Sequence, residues 1–198
     1  MSKANETVWV SDSMGDTRLI KAFTPANFEQ AKDRLLQAMR LNEKGVALPA
    51  DHFPKEMYFN YRDKKVKRIN PGFFYGGGFH CVSAAFADVL RRFDLGKGAL
   101  YPVELFQHDR ETPVEGEYFC INFGNQKQAA VPEYSPKLMK PSYPQKEGEP
   151  PWILPAVLEN NDITVTKSAL EKPDLWVDPQ IRESLFLSDP LAKVSMSI

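Results

Sequence analysis

The stretch that most constrains the fold runs from Asn70 to Val103, NPGFFYGGGFHCVSAAFADVLRRFDLGKGALYPV. It holds the chain's glycine triplet (Gly76, Gly77, Gly78), a short apolar run from Phe79 to Val82, and a helix start at Ser83. Ser83 has the side chain of an N-cap, and Phe86, Val89, Leu90 and Phe93 recur at helical spacing behind it. Arg91 and Arg92 complement the helix C-terminus, and Leu95 to Gly98 closes it. Strands are then expected at Leu100 to Gln107 and Glu117 to Phe123, joined by a polar loop with Pro113 and Gly116. One helix followed by adjacent strands, with no helix between them, argues for an α+β fold: a mostly antiparallel sheet packed against a few amphipathic helices.

Upstream, Thr7 to Val10 and Arg18 to Phe23 read as the strands of a hairpin, with Ser11 to Asp16 as its polar connection. Thr24-Pro25 offers an N-cap and an N1 proline, followed by Phe28, Ala31, Leu35, Ala38 and Met39 at helical spacing. That helix is expected to end at Lys44-Gly45, and its charged face, including Glu29, Lys32, Asp33, Arg34 and Arg40, to be solvated. Met57 to Arg62 reads as an aromatic strand. The basic run after it (Arg62, Lys64, Lys65, Lys67, Arg68) could form a nucleic-acid patch with Tyr58, Phe59 and Tyr61, but no recognised motif frames it, and a charged hairpin turn is the simpler reading.

Downstream, Gln128 to Val131 suggests a further strand. Residues 135–155 carry Pro136, Pro141, Pro144, Pro150, Pro151 and Pro155, which exclude a long helix or a central strand. In the tail, Asp162 to Thr166 and Asp174 to Val177 read as short strands, and Asp178-Pro179 and Ser188-Asp189-Pro190 as helix starts. A tail of this size cannot bury a core alone, so residues 1–198 are read as one domain.

The net charge of −1 supplies no overall field for nucleic acid or an anionic membrane. The chain shows neither a signal peptide nor a run of apolar residues long enough to span a bilayer, so a cytoplasmic location is expected. The two cysteines, Cys81 and Cys120, exclude a disulfide framework; two buried thiols fit a reducing compartment better than one bridge.

A nucleophile could be built from Cys81, at the start of a helix, with a base supplied by His108. His80 is poorly placed for that role, because neighbours on an extended strand face opposite ways. Phe79, Val82 and Ala84 around Cys81 make packing the simpler account. Gly76-Gly77-Gly78 lacks the spacing of a phosphate loop and is read as a turn requiring positive φ. His52, His80 and His108 lack metal-ligand spacing, and Glu115 and Glu117 flank a turn glycine without forming a catalytic pair. No catalytic, cofactor or metal residues are assigned.

From Glu147 onward nine acids stand against four bases, so the tail could offer an acidic face to a basic partner. Tyr143 and Trp152 are the expected anchors of that contact, with Glu147, Glu149, Glu159 and Asp162 as charged contributors.

The runs CVSAAFADVLRRFDLGKGALYPVELF and VEGEYFCINFGNQKQAAVPEYS together resemble the Imm11 immunity-protein family of bacterial polymorphic toxin systems. The matching features are Val82-Ser83, Leu90 and Phe93, Gly98 with Pro102-Val103, Glu117-Tyr118-Phe119 with Asn122, and Ser135. Asp174-Leu175-Trp176 and Phe186 to Asp189 are similar to that family's closing segment, so the resemblance extends over Gly78 to Lys193. It implies a cytosolic protein, made beside a toxin encoded by the adjacent gene, that neutralises the toxin by stoichiometric occlusion and uses no cofactor.

Overall fold

The computed structural model describes residues 6–11, 13, 16–145 and 147–196. The chain runs through β1 (Val8–Ser11), β2 (Ile20–Lys21), β3 (Phe23–Pro25), α1 (Phe28–Glu43) and β4 (Glu56–Phe59). It continues through β5 (Phe73–Gly76), β6 (Phe79–Ser83), α2 (Ala84–Leu90), β7 (Ala99–Phe106) and β8 (Tyr118–Asn122). The last elements are β9 (Trp152–Ile153), β10 (Leu175–Trp176), β11 (Ile181–Arg182), β12 (Leu185–Ser188) and α3 (Asp189–Ser195). The fold is α+β.

Seven strands form one sheet in the order β2-β5-β6-β8-β7-β4-β3. Its two outermost strands, β2 and β3, are separated in sequence by Ala22 alone. The single run Ile20 to Pro25 therefore pairs parallel with β5 through its first half and antiparallel with β4 through its second. This run draws the edges together into a nearly closed barrel. Four of the six pairings are antiparallel, and β4 with β7 is the second parallel one.

Alternation along the strands sorts side chains to two faces. Phe74, Phe79, Cys81, Val103, Leu105, Tyr118 and Cys120 share one cluster with Leu35 and Ala38 of α1, so α1 packs on the barrel's inner face. Val82, Ile121 and Phe123 point the other way, onto Leu90 of α2, Leu191 of α3 and Leu175. A third cluster around Trp176, Phe186 and Ile181 packs beneath Leu138 and Trp152 of the proline-rich segment.

Ser83 caps α2, its hydroxyl accepting from the Phe86 N–H at 3.4 Å. The glycine triplet makes the β5–β6 turn, with Gly77 at φ +60° and Gly78 at φ +87°. A Cβ on Gly78 would sit 2.4 Å from the Met39 sulfur, so α1 lies directly on that turn. Helix α1 ends where expected, before Gly45 at φ +73°.

Several local expectations are corrected. The Val8–Ser11 strand does not form a hairpin with the 18–23 run. It pairs antiparallel with β12, Val8 opposite Ser188, 180 positions away in the chain, while Ile20-Lys21 closes the barrel. Part of the expected connection, Asp12, Met14 and Gly15, lies outside the described residues. Thr24-Pro25 belongs to β3 and not to a helix start, because β4 claims its backbone; Asn27 precedes α1. The basic run after β4 is not a hairpin turn, since β4 lies between β3 and β7. Its loop is instead pinned by the Gln107 amide, which accepts from Val66 N–H at 3.0 Å and donates to Val66 C=O at 2.6 Å.

Further along, Gln128–Val131 and Asp162–Thr166 meet only through an Ala130–Val165 bridge. Asp178-Pro179 begins no helix, because the Asp178 carboxylate folds the chain into a turn before β11. Ser188-Asp189-Pro190 does start α3. No helix among the described residues is long and apolar enough to cross a membrane.

Candidate functional site

The residues that resembled a nucleophile and base do not meet: Cys81 is sealed inside the barrel, and His108 is exposed beyond the end of β7. Cys81 has no exposed surface, and its thiol meets Phe79 C=O at 3.7 Å and the Cys120 sulfur at 3.8 Å. Burial pushes the Cys120 thiol well above the usual thiol range, and the contact with Cys81 adds to it. His108 Nδ1 lies 3.2 Å from Phe59 C=O instead of facing a thiol. His80 occupies the opposite face of the strand, ringed by Phe73, Tyr75 and Phe123 at 5.1–5.7 Å between centroids. Burial there lowers its pKa to about 4, so it stays neutral. His52 sits beside Asp51 at 3.2 Å. Among the described residues no three His, Cys, Asp or Glu side chains gather as metal ligands.

Among the described residues, one open cleft of about 430 Å³ lies between the C-terminal end of α1, the proline-rich segment and the turn after β11, and a second, mostly apolar one of about 390 Å³ lies between β1, α2 and α3. The walls of the first carry Arg40 and Glu43 from α1, Lys44 just after it, Tyr143, Glu147 and Glu149 from the segment, and Arg182 and Glu183. Arg182 joins the walls: one guanidinium N–H donates to the Tyr143 hydroxyl, and Nε donates to Glu183 at 3.2 Å. The opposite closure comes from Lys44 Nζ, which donates to Gly148 C=O at 2.8 Å. Gln145 donates to Pro150 C=O at 2.6 Å and folds the segment on itself.

Glu183 adopts φ +54°, a left-handed conformation that a side-chain-bearing residue rarely takes. Burial raises the Glu43 pKa to about 6, repulsion from Glu183 adds to the rise, and Arg182 and Arg40 partly offset it. Tyr75 of β5 packs against His80 in the barrel wall, its ring 5.1 Å from the imidazole between centroids. Its phenol is raised to about 12 by burial and by the fields of Glu43 and Glu183. The cleft thus combines four carboxylates with three cations and a half-exposed tyrosine, an arrangement suited to ionic and hydrogen-bonded recognition.

Three of the six residues expected to meet a partner, Tyr143, Glu147 and Glu149, line this cleft. Trp152 does not; it packs in the third cluster under Lys140, whose ammonium lies 5.6 Å from the ring centroid. Glu159 is exposed elsewhere on the chain. Asp162 is only 9% exposed, and its carboxylate accepts from Glu159 N–H at 2.7 Å, closing a local turn.

The acidic tail is accordingly not a single solvated face. Asp174 and Asp178 are buried too. The Asp178 carboxylate accepts from the N–H groups of Ala129, Ala130 and Gln180 at 2.7–2.9 Å. Asp174 accepts from Asp94 N–H at 2.9 Å and Lys172 Nζ at 2.5 Å. Burial pushes the Asp174 pKa up, but Lys172, Ser188 and that N–H outweigh it and hold the pKa below the ordinary value. These carboxylates satisfy backbone donors that would otherwise be orphaned.

Sequence reasoning did not single out Glu43, Lys44, Arg182 or Glu183, which complete the cleft. Arg40 was read as part of a solvated helix face. The only local signal was the accumulation of charge at a helix end. No protein-family model matches the chain, and no curated protein does.

Proposed function

We propose that this is an immunity protein that binds a cognate bacterial toxin and neutralises it by stoichiometric occlusion in the cytoplasm of the producing cell. The observation that carries the reading is the convergence of Tyr143, Glu147 and Glu149 with Arg182 in one open, charged cleft. Cys81, the candidate nucleophile, is meanwhile packed out of solvent reach, and His108, its candidate base, turns to Phe59 C=O at 3.2 Å instead. The resemblance over Gly78 to Lys193 supports the same reading. An interface of this kind covers about 800 Å² on each partner, with tyrosine and arginine as preferred anchors. Tyr143, 44% exposed and held by Arg182, is such a pair.

The test is to co-express the protein with the product of the adjacent gene. Co-purification as a stoichiometric complex and rescue of growth are expected, and Tyr143→Ala with Arg182→Ala should weaken binding at least tenfold. Absence of both binding and rescue overturns the proposal.

A further inference from the structure

The pairing of the two cysteines carries an inference independent of the toxin reading. They are 39 residues apart in sequence, yet they fall at the same register position of the β6–β8 antiparallel ladder. Directly opposed residues on such a ladder project to the same face, here the barrel interior. Their sulfur atoms are 3.8 Å apart, and neither residue has exposed surface. Opposed residues of antiparallel strands have Cα separations of roughly 4.5–5.5 Å. Disulfides span Cα separations of roughly 4.4–6.8 Å. Bond formation thus needs side-chain rotation and no change of register. Separation of the pair is resisted on both sides: Val82 and Ser83 continue the same ladder, and Cys120 is also paired with Tyr101 of β7.

We propose that Cys81 and Cys120 form a redox-active dithiol that a hydroperoxide converts to an intramolecular disulfide inside the barrel. One sulfur, as thiolate, attacks the O–O bond and becomes a sulfenic acid, releasing the alcohol, or water where the oxidant is hydrogen peroxide. The second sulfur then displaces the sulfenic oxygen as water. Overall, two thiols and one hydroperoxide give one disulfide, one alcohol and one water, so two electrons pass from sulfur to the peroxide. Burial disfavours the thiolate, which makes the step slow and dependent on local opening. The cross-link joins β6 to β8 within the barrel wall and closes a loop that contains α2 and β7.

The full chain, kept dilute, is exposed to hydrogen peroxide and followed to its endpoint by intact mass and by thiol alkylation after unfolding. The expected product is a monomer lighter by two hydrogen atoms, with Cys81 and Cys120 joined in the non-reduced peptide map. Dithiothreitol should reverse it, and its melting temperature should be no lower than that of the reduced protein. Cys120→Ala should abolish the cross-link and leave Cys81 as a free thiol or sulfenic acid. An endpoint with two free thiols, with sulfinic acid on either cysteine or with disulfide-linked dimers overturns the proposal. So does an oxidised monomer that melts well below the reduced one.

Discussion

The barrel wall and the cleft each gather residue types that could do chemistry. In the wall, His80, Cys81 and Cys120 are enclosed by aromatic rings and neighbouring strands. In the cleft, Glu43, Arg182, Glu183 and Tyr143 line one open space, with Arg182 bonded to Tyr143 and Glu183. The wall is held by backbone ladders and apolar side chains; the cleft side is held by polar side chains that reach distant backbone groups. Reactive residue types therefore say little until access is known. Here the conspicuous ones are sealed and the plain ones are open.

The largest expected effect tests how the cleft side is held. Asp178→Ala removes a carboxylate that accepts from three N–H groups, those of Ala129, Ala130 and Gln180. An orphaned buried donor costs about 1–3 kcal/mol, so a loss of about 3 kcal/mol is expected in urea unfolding. Because Gln180 leads directly into β11, the Arg182–Tyr143 contact should loosen as well. A variant as stable as the parent would break the contrast between an apolar wall and a polar-tethered cleft.

The next effect belongs to the wall. His80 is neutral in the folded chain, with a pKa of about 4 against an ordinary value of 6.5. Between those values the unfolded chain binds a proton that the folded chain does not, so stability falls as pH drops from about 6.5 to about 4. The full difference approaches about 3 kcal/mol. Unfolding midpoints across this window should show the fall, and His80→Phe should flatten it relative to the parent. An equal slope in parent and variant would mean that His80 is not sealed.

The same contrast explains what could be read in advance. The apolar run from Phe79 to Val82, the strand-like stretch Glu117 to Phe123, the Ser83 cap and the glycine at the end of α1 are local signals, and the elements appear where those signals place them. Closure of the barrel was not legible, because Ile20-Lys21 and Phe23–Pro25 are too short for any periodicity and take different partners. The cleft was half legible. Tyr143, Glu147 and Glu149 stood out in a proline-rich segment, but their neighbours Glu43 and Glu183 come from positions 140 residues apart. Nor could spacing distinguish a buried aspartate from a solvated one: Asp178 meets Ala129 across 49 residues, and only the fold brings them together.

The smallest effect has the opposite sign to that of His80 and separates the two regions most sharply. Glu43 is raised to about 6, first by burial and then by Glu183, from an ordinary value of 4.5. The folded chain then holds a proton that the unfolded chain has released, so this group's stabilising contribution is present below about 4.5 and is lost as pH rises through about 6. Above that pH the charged carboxylate is a penalty that Glu43→Gln removes. The variant should be slightly more stable than the parent at pH 7.5, and the gain should vanish toward pH 4.5, a difference readable in paired melting curves. Glu183→Gln should lower the midpoint of the Glu43 titration by removing the repulsion, leaving the His80 slope untouched. A shared response of both groups to Glu183→Gln would mean that the wall and the cleft are electrostatically coupled and not separate.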